Sequence, residues 1–359
     1  MIASLVSPLR EPQCGGAQSF LADLATGLAA RGHDVDVFAA SGSEIKGARV
    51  VDLGIDASTV HEFLYRADSS TQLDPAPFAA AYARVFDALG ERHYDVVHNH
   101  AFDAPAIQCA VGIAAPVIHT LHLPPERSVV DALRHALQAQ HPPVIATVST
   151  AQADAWRRHV KIDTVLRVGV ATKRIPWSAT PATGAVFAGR LSPEKGAFDA
   201  IAIARRAEMS IDLYGDAYDD DYAERVVHTA DGQPGVRLYS AVPRATLWRV
   251  IAGAAAVLCP AGWDEPFGLV AAEAQACATP VVAYRRGGLE EVIVDRRTGF
   301  LVDPGDIDAA AASLGGVGEL DRRACRRHAE ARLDIEAVLE AHERTYDSLV
   351  TPRLATAHD

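Results

Sequence analysis

Short apolar runs alternate along this chain with longer stretches of helical character. IASLV (2–6) is the first such run. A glycine loop, CGGAQ (14–18), follows it, then the helical stretch SFLADLATGLAARG (19–32) and the run DVDVFAA (34–40). That order predicts strand, helix, strand, with Gly32 placed where a helix C-cap belongs. DVVHNH (95–100), PVIHTL (116–121) and VIATVS (144–149) are further short β-branched runs. Helical stretches such as PAPFAAAYARVFDAL (75–89) and SVVDALRHALQAQ (128–140) separate them. Such alternation predicts a parallel sheet with helices on both faces.

The pattern then restarts. GAVFAGRLS (184–192) reads as a strand and loop. A helix over 194–207, strands SIDLYG (210–215) and VRLYS (236–240), a helix near 244–252 and strand AAVLCP (255–260) follow. A helix over 268–277 and strand PVVAY (280–284) come next. Between the two halves, VGVATKRIPWSATPATG (168–184) is rich in Pro, Thr and Gly and reads as a linker. The expectation is therefore two doubly wound α/β domains, 1–168 and 184–334, joined by 169–183. A last helix, about 335–350, follows an arginine-rich polar stretch and is expected to pack back on the first domain. In open parallel sheets, ligands bind beyond the carboxyl ends of the strands. Two such domains facing each other would make a cleft.

Composition narrows the partners. A chain of 359 residues suits two domains, and 49% hydrophobic residues is ordinary for a globular protein. The net charge of −12 argues against nucleic acid and against an anionic membrane surface. Five cysteines, Cys14, Cys109, Cys259, Cys277 and Cys325, are widely spaced with no CxxC pair, which fits free thiols in a reducing cytoplasm. No signal-peptide pattern opens the chain, and no apolar run reaches the ~20 residues of a membrane span. The four lysines, beside abundant arginine and alanine, point to a GC-rich bacterial source.

Three loops carry chemistry. GRLSPEKG (189–196) leaves a strand and offers Arg190 and Lys195, two cations suited to a diphosphate, or else a solvated loop with a salt bridge to Glu194. Gly15 and Gly16 open the first helix, where backbone approaches a ligand closely, or form a plain tight turn. In DEPFGLVAAEAQA (264–276), Gly268 turns the chain into a helix whose first N–H groups, those of Phe267, Gly268, Leu269 and Val270, make an anion seat. Glu265 before it would accept hydrogen bonds from sugar hydroxyls, and Glu273 one turn in would take a ribose diol. The plainer reading is that both complement the helix dipole. HNH (98–100) and HTLH (119–122) show no completed zinc-ligand spacing, so one histidine donating to a sugar or phosphate is favoured over metal. AYDDDY (217–222) is read as helix capping rather than a DxD metal site.

EPFGLVAAE (265–273) resembles the E-x7-E motif of retaining glycosyltransferases of the GT-B fold, specifically glycosyltransferase family 4. The resemblance runs nearly end to end, through the glycine loop with its helix, GRLSPEKG, and TPVVAYRRGGLEEVIVDRRTGFLVDPGD (279–306). It implies two Rossmann-like domains and transfer from a nucleotide-diphosphate sugar, UDP preferred and GDP the alternative, with retention and no bound metal. Arg190 and Lys195 would neutralise the leaving diphosphate. Glu265 would hold the donor sugar, the amides of Phe267 to Val270 the phosphate and sugar, and Glu273 the ribose. His122 matches a first-domain histidine that contacts the donor sugar, and Gly15 and Gly16 would border the phosphates and the acceptor. Three departures stand out: Val168-Gly169-Val170-Ala171 in the linker, Gly215-Asp216-Ala217 after the 210–214 strand, and Ala278 in place of a common glycine. The expected acceptor is a small soluble molecule. A nucleotide-sugar epimerase or phosphorylase, and a non-catalytic sugar-nucleotide binder, are the competing readings.

Overall fold

A computed structural model describes residues 1–13, 15–59, 76–180 and 183–356. Cys14 of the glycine loop, Pro75 at the head of the helix read over 75–89, and Pro181 and Ala182 of the 169–183 stretch lie outside the described residues. The chain forms two compact units, both α/β. One holds the described residues of Met1–Gln13, Ala17–Arg167 and Glu336–Asp359, the other those of Cys14–Gly16 and Val168–Ile335.

In the first unit, helix α1 (Gly16–Ala30) leads to strands β1 (Asp36–Ala39) and β2 (Arg49–Asp52). Then come α2 (Ala76–Gly90), β3 (Val97–Asn99), α3 (Ala104–Cys109), β4 (Val117–Leu121), α4 (Arg127–Ala136), β5 (Val144–Thr147), α5 (Thr150–Arg157) and β6 (Thr164–Val165). β1 pairs with β2, and β3 to β6 pair in sequence order, all parallel. The run read as a strand over 2–6 contributes one bridging residue. Ile2 pairs with Phe38 of β1 on one side and Asn99 of β3 on the other. Beyond Ala3 the chain turns, and Leu5 and Leu9 go into the core. The lateral order is thus β2, β1, Ile2, β3, β4, β5, β6, which reverses direction beside Ile2. The C-terminal helix, Ile335–Thr356, closes this unit: Leu339 packs on Gly27 of α1, where an added Cβ would lie 2.6 Å from Leu339 Cδ1. Arg31 reaches Glu336 and Glu343 of the same helix at 2.8 and 2.6 Å.

The second unit runs β7 (Ala185–Ala188), α6 (Ala197–Arg206), β8 (Ile211–Tyr214), α7 (Asp220–Ala230), β9 (Val236–Tyr239), α8 (Arg244–Ala252) and β10 (Ala256–Cys259). It continues through α9 (Leu269–Ala276), β11 (Val281–Tyr284), α10 (Leu289–Val292), β12 (Gly299–Val302), α11 (Ile307–Gly315) and α12 (Arg322–Arg332). Its six parallel strands lie in the order β12, β11, β10, β7, β8, β9, the doubly wound arrangement. Phe187, Ile201, Ile211, Leu213, Leu258 and Leu314 belong to its core. The arginine-rich stretch read as polar holds two buried arginines. Arg322 donates to the carbonyls of Ala252 and Ala254, and Arg326 to those of Ala276, Ile175 and Thr172. They cap the carbonyl ends of α8 and α9, which would otherwise be buried without donors.

Candidate active site

The second unit's site grows from two loops at the carboxyl ends of β7 and β10. After β7, Ser192 leads into a single tight turn, Pro193–Lys195. Gly196 then adopts φ +75°, and an added Cβ would lie 2.0 Å from the Pro260 carbonyl, so only glycine allows the two loops to meet. The Gly262 amide donates to the Glu194 carbonyl at 2.9 Å and locks them together.

This contact brings Lys195 to Glu265. The Lys195 ammonium lies 3.0 Å from Oε1 and 2.8 Å from Oε2, and the Trp263 indole donates to Oε2 at 2.7 Å. Lys195 also sits 4.9 Å from the Trp263 ring centroid. Burial by itself would raise the Glu265 carboxyl. The charge and hydrogen bond of Lys195, with help from Trp263 and Arg190, outweigh it and hold the group below its ordinary range. Arg190 donates to Glu194 at 3.0 Å, so the salt bridge weighed from the sequence exists. Glu194 is buried, however, and also accepts from Ser192, so the loop is not merely solvated. The Arg190 guanidinium stacks 4.1 Å from the Tyr218 centroid, and its Nε is buried with no hydrogen-bond partner among the described residues.

Gly268 takes φ +97° and ψ +53° and opens α9 with no side-chain cap. Among the described residues, none accepts a hydrogen bond from the amides of Phe267, Gly268, Leu269 or Val270. The seat is braced from behind by Gly287 and Gly288, which the sequence reading did not single out. A Cβ on Gly287 would lie 2.5 Å from the Glu265 carbonyl, and the Gly288 amide donates to that carbonyl at 2.7 Å. Glu273 is 3% exposed and accepts from Arg244 Nε and Nη2 at 2.9 and 2.8 Å, both on Oε1. Arg244 was also missed: it lies 29 residues from Glu273, beyond the reach of any local spacing rule. Asp219 caps α7 by accepting from Tyr222 N, which is the capping read for 217–222.

Gly15 and Gly16 stand at the start of α1. In the first unit, His122 is buried, and its Nε2 lies 3.0 Å from His100 Nδ1. Burial lowers His122 to about 4, so it is neutral near pH 7 and can act by hydrogen bonding rather than as a cation. His98, its ring centroid 3.9 Å from that of His100 and tilted against it, bonds Tyr346 and Thr120 instead. Among the described residues no group of three or more His, Cys, Asp or Glu is arranged to hold a metal, and no helix is long and apolar enough to cross a membrane.

Residues 14–174 match the family model Glycosyltransferase Family 4, and residues 179–331 match Glycosyl transferases group 1. A D-inositol 3-phosphate glycosyltransferase of Xylanimonas cellulosilytica is 30% identical over 92% of this chain and 91% of its own. A glycogen synthase of Mycobacterium tuberculosis is 28% identical over the same shares. Among solved structures, Anabaena HepE in complex with UDP and glucose superposes with a TM-score of 0.76 at 21% identity, covering 97% of this chain and 98% of that one. The chain is a glycosyltransferase and belongs to glycosyltransferase family 4.

Proposed function

We propose that this enzyme transfers a hexose from a UDP-sugar to a hydroxyl of a small acceptor, with retention at the anomeric carbon and without a metal. The observation that carries this reading is the convergence in one unit of Lys195, Arg190 and the four unpartnered amides at the start of α9. Two fixed cations beside a helix N-terminus suit a diphosphate leaving group. Arg190 brings a buried Nε that lacks a partner, so its hydrogen-bonding capacity is unspent. Glu265 keeps Lys195 in place, and its remaining lone pairs would take sugar hydroxyls. Glu273 would offer Oε2 to the ribose diol while Arg244 holds Oε1. His122 would hydrogen-bond the donor sugar, and Gly15 and Gly16 would line the phosphates and the acceptor.

In the reaction proposed, the acceptor oxygen attacks the anomeric carbon on the face the leaving group departs from. The carbon–oxygen bond to the β-phosphate breaks, and that phosphate oxygen takes the acceptor's proton. Lys195, Arg190 and the amides would stabilise the charge growing on the diphosphate. UDP is favoured over GDP because HepE was solved with UDP. Four described cysteines are free thiols, which suits work in the cytoplasm.

The test is a thermal-shift titration with UDP, GDP, ADP and dTDP, with and without EDTA, on the wild type and on Lys195→Ala. A nucleotide at 100 times its Kd stabilises by ~2.7 kcal/mol. Stabilisation of the wild type by UDP, retained in EDTA and lost in the variant, supports the reading. A stronger response to another nucleotide, or one abolished by EDTA, refutes the UDP or the metal-free part of it.

A further inference from the structure

In the first unit the strand order reverses between Ile2 and β3, the place where open α/β sheets bind ligands. The loops leaving those two strands meet there. Ser4 Oγ, just after Ile2, donates to Asp103 Oδ2 at 3.2 Å, and the buried Tyr82 hydroxyl of α2 donates to the same oxygen at 2.8 Å. Beside them lies a cavity of about 10 Å³, lined by Ala3, Ser4, Ala17, Gln18, His100 and Phe102 among others. His100 is 3% exposed, and among the described residues its Nε2 has no hydrogen-bond partner.

Asp103 has no structural task that accounts for its charge. It stands at the N-cap position of α3, yet its side chain makes no capping hydrogen bond. Among the described residues no lysine or arginine pairs with it; the groups acting on it are Tyr82 and Ser4. Burial raises its carboxyl to about 7, against a lowering by the two hydroxyls. A part-buried carboxylate with no basic partner among the described residues, bonded at a strand-end switch point to the Ser4 that lines the same cavity as His100, is arranged to receive a cation from outside the protein.

We propose that Ser4, Gln18, His100 and Asp103 form the acceptor subsite of the first unit, and that Asp103 selects an acceptor carrying a primary ammonium group beside its hydroxyls. This rests on the glycosyltransferase reading above. Asp103 receives the ammonium; Ser4, Gln18 and the free His100 nitrogen serve the hydroxyls. A phosphorylated acceptor is disfavoured, because among the described residues the one charged group acting at this place is a carboxylate.

The experiment compares matched probes by calorimetry at about pH 8, where the carboxylate is ionised: an inosamine against myo-inositol, and an aminodeoxyglucose against glucose. UDP is titrated separately into the same samples. Each amine is expected to bind the wild type at least tenfold more tightly than its hydroxyl counterpart, and Asp103→Asn to erase the difference while UDP binds unchanged. Tyr82→Phe removes a hydroxyl that lowers the Asp103 carboxyl, so the pH at which amine preference appears should rise. Equal binding of amine and hydroxyl probes to the wild type, or a preference that survives Asp103→Asn, overturns the proposal. Absence of UDP binding with amine preference intact would instead refute the donor reading and leave the amine site standing.

Discussion

Lys195 lays its ammonium across both carboxylate oxygens of Glu265, at 2.8 and 3.0 Å, from a loop 70 residues away in the chain. The two side chains act as one unit, 22% and 15% exposed. Removing either leaves the other partly buried and uncompensated, which costs more than the pair contributes. Unfolding free energies of Lys195→Ala, Glu265→Gln and the double variant should therefore not add. The double variant should be more stable than the sum of the two losses predicts, by about 0.5–3 kcal/mol. Additive losses would mean that the ion pair carries no coupling. Turnover should fall by about 10²–10³ in Lys195→Ala, as for loss of a single charge-stabilising donor.

Glu273 and Arg244 make the same point deeper in the unit. Glu273→Ala removes the carboxylate that accepts two hydrogen bonds from Arg244, which is 9% exposed, and should cost about 3–5 kcal/mol in urea unfolding. Glu273→Gln keeps an acceptor for Arg244 and is the cleaner probe of ribose binding. The wild type should prefer UDP over its dideoxyribose analogue, and Glu273→Gln should lose most of that preference. An unchanged preference would make Glu273 a structural partner of Arg244 alone.

Much of this was legible in the sequence for a physical reason. Central parallel strands such as β3 and β11 bury both faces, so runs such as VVHN and PVVAY announce themselves, and the glycine positions mark where loops cross. Lys195, Glu265 and Glu273 showed as charged residues set in apolar or glycine-rich surroundings. What failed to show depends on contacts distant in the chain. The partners Arg244, Trp263 and Tyr218 look like ordinary surface residues until the fold brings them in. The run 2–6 has strand composition, yet only Ile2 bridges the sheet. Arg322 and Arg326 show in the sequence only as part of a polar stretch, because their acceptors are backbone carbonyls distant in the chain, among them the ends of α8 and α9.

Helix ends offer a stability test. α1, α6 and α9 finish with the same pattern, in which the third residue past the helix donates back to a carbonyl five positions earlier: His33 to Leu28, Met209 to Ala204, Thr279 to Ala274. The residue before each donor takes positive φ: Gly32 at +96°, Glu208 at +51°, Ala278 at +62°. Ala278 stands where glycine was expected from the family, and the backbone explains that expectation. Its methyl is buried, so Ala278→Gly exchanges backbone relief for ~0.8 kcal/mol of lost burial and should be near neutral. Glu208 is exposed. Glu208→Gly should stabilise the second unit by about 1 kcal/mol, seen as a Tm rise of about 2–4 °C. A fall in Tm would show that the Glu208 side chain has an unrecognised role.

Acid should act on the first unit through its histidines. Burial lowers His119 to about 3 and His122 and His342 to about 4, and drives His98 and His100 well below their ordinary value. Unfolded histidine titrates near 6.5, so below that pH the unfolded chain binds protons the folded unit refuses. Stability contributed by the neutral rings is fully present above about 6.5 and declines as pH falls toward about 4. Each ring adds a slope of up to about 1.4 kcal/mol per pH unit in that window. Asp103 opposes one of them: its carboxyl is raised to about 7, so protonation on acidification stabilises the folded unit. Five histidines against one carboxyl leave a net loss. Urea midpoints measured from about pH 7.5 to 4.5 should fall steadily. His342, buried on the C-terminal helix with Nε2 unpartnered, is the residue to remove. His342→Leu should flatten the slope by about one proton's worth. The same variant should leave the midpoint above pH 7 lowered only by the lost hydrogen bond to the Val338 carbonyl. A slope unchanged by His342→Leu would mean that this ring is already protonated in the folded protein, against its burial.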